Sequence, residues 1–224
     1  MTCTAIIFDM DGLMVDTEPL AREAWATVVR QHGQTLTDEV YRQMIGRRTA
    51  ESAELLLAHY DLPYTAVELA AHKTELFAIR RAQGVPVMPG LFELQTAVAR
   101  QGIPWAVATS SPRSHAEAIL TQLGLMADCG AVAAGDEVAH SKPAPEIYLL
   151  AAQRLGVNPA HCLALEDSEP GCRAAVAAGM KTVAVPNRDT EGADFGFVYA
   201  VYGSLVEVAR DLTKLLVDER PFVK

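Results

Sequence analysis

An apolar run at the start of the chain ends in Phe8-Asp9-Met10-Asp11-Gly12, two carboxylates two residues apart followed by a glycine that permits a tight turn. On its own this pair also fits an ordinary solvated turn, because Asp is common where strands end. Other apolar runs end in equally polar segments: Thr109-Ser110-Ser111, Ser141-Lys142-Pro143 and Glu166-Asp167-Ser168. Each has a plain structural explanation, with hydroxyls or acids capping the following helix and a solvated lysine. Capping does not call for a lysine among acids, however. Acids, a hydroxyl and an ammonium brought to one place are what phosphoryl transfer needs: a nucleophile, a proton donor and positive charge to offset the phosphate.

For these groups to meet, the runs that carry them must be neighbouring strands. Thr4 to Phe8, Ile103 to Ala108, Ala131 to Ala134, Cys162 to Leu165 and Thr182 to Val185 read as short, fully buried strands. Amphipathic stretches of helical length lie between the later ones: Arg113 to Leu123, Pro145 to Leu155 and Glu169 to Ala178, with Gly124 and Gly156 closely following the first two. This alternation predicts an α/β fold, a doubly wound, Rossmann-like parallel sheet whose reactive crevice lies at the carboxyl ends of its strands. The first connection breaks the pattern, spanning about 90 residues where a crossover needs ~10–12. Helical segments at Pro19 to Gln31, Thr49 to Tyr60 and Ala66 to Arg81, with no convincing strand, predict an inserted all-α helical cap domain. The expected division is a discontinuous core, residues 1–16 and 84–224, and a cap, residues 17–83.

Four segments, FDMDGLMVDTEP, VATSS, SKPAPEIY and ALEDSEPG, resemble the ordered motifs of the haloacid dehalogenase-like superfamily. The branch they resemble most contains β-phosphoglucomutases and small sugar-phosphate phosphatases, in which a helical cap follows the first strand. The resemblance implies that Asp9 is the nucleophile, forming an aspartyl-phosphate, and that Asp11 is the general acid and then base. It further implies a Mg²⁺ ion held by Asp9, the backbone carbonyl of Asp11, and Asp167, with Glu166 placed behind the metal; the sequence leaves open which acid of the adjacent Glu166-Asp167 pair ligates. Thr109, Ser110 and Lys142 are the implied phosphate-binding residues, through hydroxyls, backbone amides and the ammonium. In the cap, Thr17, Arg48 and Lys73 are candidate substrate contacts. Where the mutases carry a histidine in the first cap helix this chain has Ala21, and the position of their cap arginine falls on Thr49, one place after Arg48. The expected activity is therefore Mg²⁺-dependent hydrolysis of a small phosphorylated metabolite, with a phosphosugar mutase as the alternative.

The 224 residues are half apolar, enough for one core and a small second domain, and carry a formal charge of -9. That charge argues against a nucleic-acid partner and requires any anionic substrate to be held by local positive charge. Cys3, Cys129, Cys162 and Cys172 form no CxxC pair and read as reduced thiols. With no basic signal segment and no apolar stretch of 18 residues, the expectation is a cytoplasmic monomer that does not enter membranes. A halide needs no proton to leave, so dehalogenation gives no reason for Asp11. A receiver-like signalling module combines similar residues, but its acceptor aspartate follows the third strand, where this chain has Gly135-Asp136-Glu137 without the motif around it. A catalytically silent phosphate-binding module stays open from the sequence.

Overall fold

The computed structural model describes residues 2–44 and 49–217. The chain divides into two compact units, Met1–Asp16 with Val87–Lys224, and Thr17–Pro86. The return to the first unit thus lies after Pro86 and not after Gln83. The reason is local: Val87 bridges to Val15, and Met88 donates its amide to Met14 O.

In the first unit the described residues form one six-stranded, all-parallel sheet in the order β3-β2-β1-β4-β5-β6. The strands are β1 (Ala5–Phe8), β2 (Trp105–Thr109), β3 (Ala131–Ala134), β4 (Cys162–Glu166), β5 (Lys181–Ala184) and β6 (Ala200–Val201). Strands β1, β2, β4 and β5 are buried at every position, as a sheet covered on both faces requires. The second strand starts at Trp105, two residues later than the apolar run. Pro104 has no N–H to give the ladder and contributes only its carbonyl, to Ile6 N. The strand consequently runs through Thr109, so this hydroxyl residue ends the strand instead of following it.

Five helices pack around the sheet: α5 (Leu91–Gln101), α6 (Arg113–Gln122), α7 (Glu146–Leu155), α8 (Glu169–Ala177) and α9 (Leu205–Val217). On one face Ala5, Ile7, Ala106, Ala108, Ala133 and Ala164 present mostly methyl groups to α7 and α8. Small strand residues let these helices approach closely, and Tyr148 on α7 is fully buried as a result. Helices α5 and α9, which pack together, were not anticipated, nor was β6. Yet Leu91, Leu94, Gln95 and Val98 are buried at helical spacing, as are Leu205, Val208, Leu212 and Leu215.

The second unit is all helical among its described residues: α1 (Glu18–Gln31), α2 (Asp38–Met44), α3 (Thr49–His59) and α4 (Ala66–Ala82). Its own core joins Trp25, Val28 and Val29 of α1 to Val40, Tyr41, Leu56 and Leu69. Helix α4 opens on a capping box in which Thr65 Oγ1 accepts from Glu68 N and the Glu68 carboxylate accepts from Thr65 N. Helix α2 was not anticipated, being only seven residues long. Among the described residues no helix is long and apolar enough to cross a membrane, and the four cysteines are free thiols.

Candidate active site

The chain runs from β1 to β2 to β3 on one side and continues through β4, β5 and β6 on the other. The order therefore reverses between β1 and β4, the place where an open parallel sheet leaves a crevice at its carboxyl edge. Asp9 is the first residue past β1, and its amide donates to Leu165 O at 2.9 Å, which holds it at this point of reversal. Beyond it the chain turns tightly: Met14 N and Val15 N both donate to Met10 O, and Gly12 N donates to Val15 O. Gly12 has a φ of 91°, open to glycine and strained for other residues.

Lys142, whose side chain is 8% exposed, reaches between two strands. Its Nζ lies 2.5 Å from Asp9 Oδ1, 2.6 Å from Glu166 Oε1 and 3.2 Å from Ala108 O. Glu166 is wholly enclosed. Its Oε1 also accepts from the Tyr148 hydroxyl at 2.9 Å, while Oε2 accepts from Asp167 N, Ser168 N and Ser168 Oγ. Five donors thus occupy both of its oxygens. Gly171, in the first turn of α8, lies directly over this carboxylate; a Cβ there would stand 1.7 Å from Glu166 Oε1.

Asp11 faces the end of β2. Its Oδ2 accepts from Thr109 Oγ1 at 3.0 Å and Ser111 Oγ at 2.8 Å, and Thr109 Oγ1 in turn accepts from Ser111 N. Asp167 Oδ2 accepts from Asn187 Nδ2 at 2.9 Å. One carboxylate oxygen from each of Asp9, Glu166 and Asp167 lies within 4.8 Å of the others.

The structure therefore brings together Asp9, Asp11, Thr109, Lys142, Glu166 and Asp167. Ser110 is exposed, and its backbone carbonyl abuts Gly135. In the second unit, Thr17 is the N-cap residue of α1, and the Lys73 ammonium lies over the rings of Phe77 at 4.6 Å and Trp25 at 5.6 Å. Arg48 lies outside the described residues. Sequence reasoning missed Tyr148, Ser111, Ser168 and Asn187. Ser111, Tyr148 and Ser168 lie inside VATSS, SKPAPEIY and ALEDSEPG, whereas Asn187 lies three residues past β5 and outside all four motifs.

The profile of a haloacid dehalogenase-like hydrolase family matches residues 3–179. The chain belongs to that family. It is 38% identical over 180 residues to the fructose-1-phosphate phosphatase YqaB of Escherichia coli, covering 80% of this chain and 95% of that one. Among solved structures it is similar to CbbY from Rhodobacter sphaeroides in complex with xylulose-1,5-bisphosphate (TM-score 0.79, 32% identity, 93% and 96% covered). It is also similar to a Thermotoga maritima protein provisionally assigned as a β-phosphoglucomutase (TM-score 0.83, 29% identity, 95% and 99% covered). As a haloacid dehalogenase-like hydrolase, the chain carries its acids at the edge where the family fold leaves room for a ligand.

The buried charges of this site do not balance by themselves. Asp9, Glu166 and Asp167 are three negative charges against the single positive charge of Lys142, leaving two uncompensated. Burial, with Glu166 and Asp11 nearby, pushes the Asp9 carboxyl up to about 8 although Lys142 works against the shift. Asp167 rises to about 9 through burial and the charges of Glu166 and Asp9. Burial also opposes the charge on Lys142, but Asp9 and Glu166 outweigh it and hold the ammonium well above its ordinary value. Burial acts on Glu166 as well, yet Lys142 and the Ser168 and Tyr148 hydrogen bonds keep it below the usual carboxylate range. Two hard oxygen donors and two missing positive charges fit a hard divalent cation. Since five donors saturate Glu166, Asp9 and Asp167 are the acids with capacity to ligate.

Two outcomes follow. Asp9 and Asp167 bind more protons folded than unfolded from the ordinary carboxylate value of 3.8 up to about 8–9, so metal-free stability falls as pH rises through that window. A cation competes with those protons. Thermal unfolding should show MgCl₂ raising the Tm by about 5 °C or more at pH 8.5 and by much less at pH 5.5; an equal rise at both values would contradict the assignment. Gly171→Ala should drive Glu166 from its seat and cost at least about 3 kcal/mol in urea unfolding, the scale of breaking a buried charge pair.

Proposed function

We propose that this chain is a Mg²⁺-dependent phosphatase acting on small phosphomonoesters, sugar phosphates foremost, through an aspartyl-phosphate on Asp9. The observation that carries the reading is the Lys142 ammonium shared by Asp9 and Glu166 at the reversal of the sheet, with Asp11 two residues from Asp9. The relatives support the substrate class, one being named for fructose 1-phosphate and another being solved with a sugar bisphosphate.

A carboxylate oxygen of Asp9 attacks phosphorus as the ester P–O bond breaks. The departing alkoxide is a poor leaving group, so it takes a proton from Asp11. Water then attacks the same phosphorus, Asp11 takes back a proton, and the bond to Asp9 breaks to release inorganic phosphate. Lys142 orients Asp9 and offsets charge on the transferring group, while the Thr109 hydroxyl exchanges its bond to Asp11 for one to a phosphoryl oxygen. Exposed Ser110 offers its backbone amide to the same oxygens. Asp9, Asp167 and the Asp11 carbonyl would hold the Mg²⁺, whose charge keeps both carboxylates ionised and offsets the spread of negative charge in the transition state.

In this reading the second unit selects substrate, with Thr17 and Arg48 as its candidate contacts. Lys73, stacked on the aromatic rings of its own unit, has a packing role that accounts for it. Ala21 on α1 and Thr49 at the start of α3 supply neither the imidazole nor the guanidinium of the mutase pattern. Water is accordingly the acceptor in this reading, not a sugar hydroxyl.

A panel of phosphomonoesters with MgCl₂, followed by phosphate release, tests the activity, and EDTA should abolish it with full recovery on re-adding Mg²⁺. Asp9→Asn should lower kcat by at least about a thousandfold, as loss of a nucleophile does. With Asp11→Asn, turnover of alkyl phosphates should fall about a hundredfold more than that of aryl phosphates, whose leaving groups need little protonation. β-Glucose 1-phosphate with a trace of its bisphosphate separates the two acceptors: glucose 6-phosphate forming faster than free phosphate would favour the mutase.

A further inference from the structure

The acid Asp167 does not stand alone at the end of β4. Its Oδ2 accepts from Asn187 Nδ2 at 2.9 Å, and the same amide nitrogen donates to Gly12 O at 3.0 Å. One carboxamide therefore ties a candidate metal ligand to the turn that carries Asp9 and Asp11. Asn187 is itself immobilised from the other side. Its Oδ1 accepts from Asp189 N at 2.8 Å and Thr190 N at 3.2 Å, and its own amide donates to Thr190 Oγ1 at 3.0 Å. The side chain thus closes an Asx-type turn just past β5, with Pro186 before it restricting the backbone. Both polar atoms of the carboxamide have partners: Oδ1 is held within the turn, and Nδ2 reaches out of it to Asp167 and Gly12.

The packing leaves little slack. A Cβ at Gly12 would stand 2.4 Å from Asp167 Oδ2 and 2.9 Å from Asn187 Nδ2, so the glycine, the acid and the amide meet in van der Waals contact. A carboxylate used as a metal ligand needs its orientation set, since one oxygen must face the cation while the other is held. Asn187 is suited to this by charge as well as geometry. A neutral donor holds Oδ2 without cancelling the negative charge that attracts a cation, as a lysine or arginine there would.

The geometry points to Asn187 as a positioning residue that presets Asp167, and the turn at Gly12, for a divalent cation. This rests on the metal-site reading above. Asn187 touches neither phosphate nor cation in this role; it sets the rotamer of a group that does. Removing it should weaken metal binding about 10–100-fold, the usual effect of losing a partner of a ligating carboxylate, with kcat at saturating Mg²⁺ reduced no more than about threefold. A merely structural role would instead lower stability and leave metal affinity unchanged.

Two substitutions separate these outcomes. Asn187→Ala removes the whole carboxamide, whereas Asn187→Ser keeps a side-chain oxygen that can accept within the turn but is too short to reach Asp167. Metal-free thermal unfolding establishes that a variant folds, and the serine variant serves should the alanine variant fail. Mn²⁺ binding without substrate, read by electron paramagnetic resonance, gives the affinity directly. The Mg²⁺ concentration for half-maximal phosphate release gives it independently. The expected result is a 10–100-fold rise in both constants for each folded variant. Wild-type protein that binds Mn²⁺ alongside variants that bind it equally well would overturn the assignment of Asn187 alone. Wild-type protein that binds no Mn²⁺ would overturn the metal site and the Asn187 assignment with it.

Discussion

The ammonium of Lys142, shared between Asp9 and Glu166, is the interaction on which the rest of the site depends. Two carboxylates at the ends of adjacent buried strands repel each other and resist desolvation, and one buried cation makes their coexistence possible. The remaining lone pairs must then be satisfied. Tyr148 from α7, Ser168 and two backbone amides do this for Glu166. Close approach is the condition for all of these bonds. It explains the run of alanines on the sheet face beneath α7 and α8, and the absence of a side chain at Gly171.

Neutralisation by Lys142 is deliberately incomplete in its effect: it leaves Asp9 and Asp167 as acids whose ionisation burial still opposes. Such a site is poorly suited to being an inert salt-bridge network, in which charges would cancel. It suits a group that brings positive charge to Asp9 and Asp167. With a divalent cation held there, an anion in the crevice would meet positive charge at contact distance, while surface acids are screened over ~8 Å.

Parallel topology makes this economical. Residues at or just beyond the end of each strand arrive at one edge of the sheet, and the reversal of strand order opens that edge between β1 and β4. Asp9 past β1, Thr109 ending β2, Glu166 ending β4 and Asn187 past β5 are therefore neighbours without any long loop to bring them together. The turn at Asn187 extends the arrangement outward by one strand, so that β5 contributes rigidity where β1 and β4 contribute charge.

Much of this was legible in the amino-acid sequence, because strand periodicity and exit residues are local properties. The five buried strands, the inserted helical segment and six of the residues that converge on the site follow from short apolar runs and what ends them. Weak or distant signals were lost: α2 is short, β6 has two residues, and α5 and α9 were visible only in their helical spacing. By itself, then, the sequence determined which residues reach the carboxyl edge of the sheet, since register in a parallel sheet leaves them no other place. Only the tertiary structure decided which oxygen each donor takes: that Glu166 is saturated, that Asp11 leans on Thr109 and Ser111, and that Asn187 holds Asp167. Those pairings depend on side-chain directions across four strands and two helices, and no spacing along the chain encodes a distance between atoms so far apart in it.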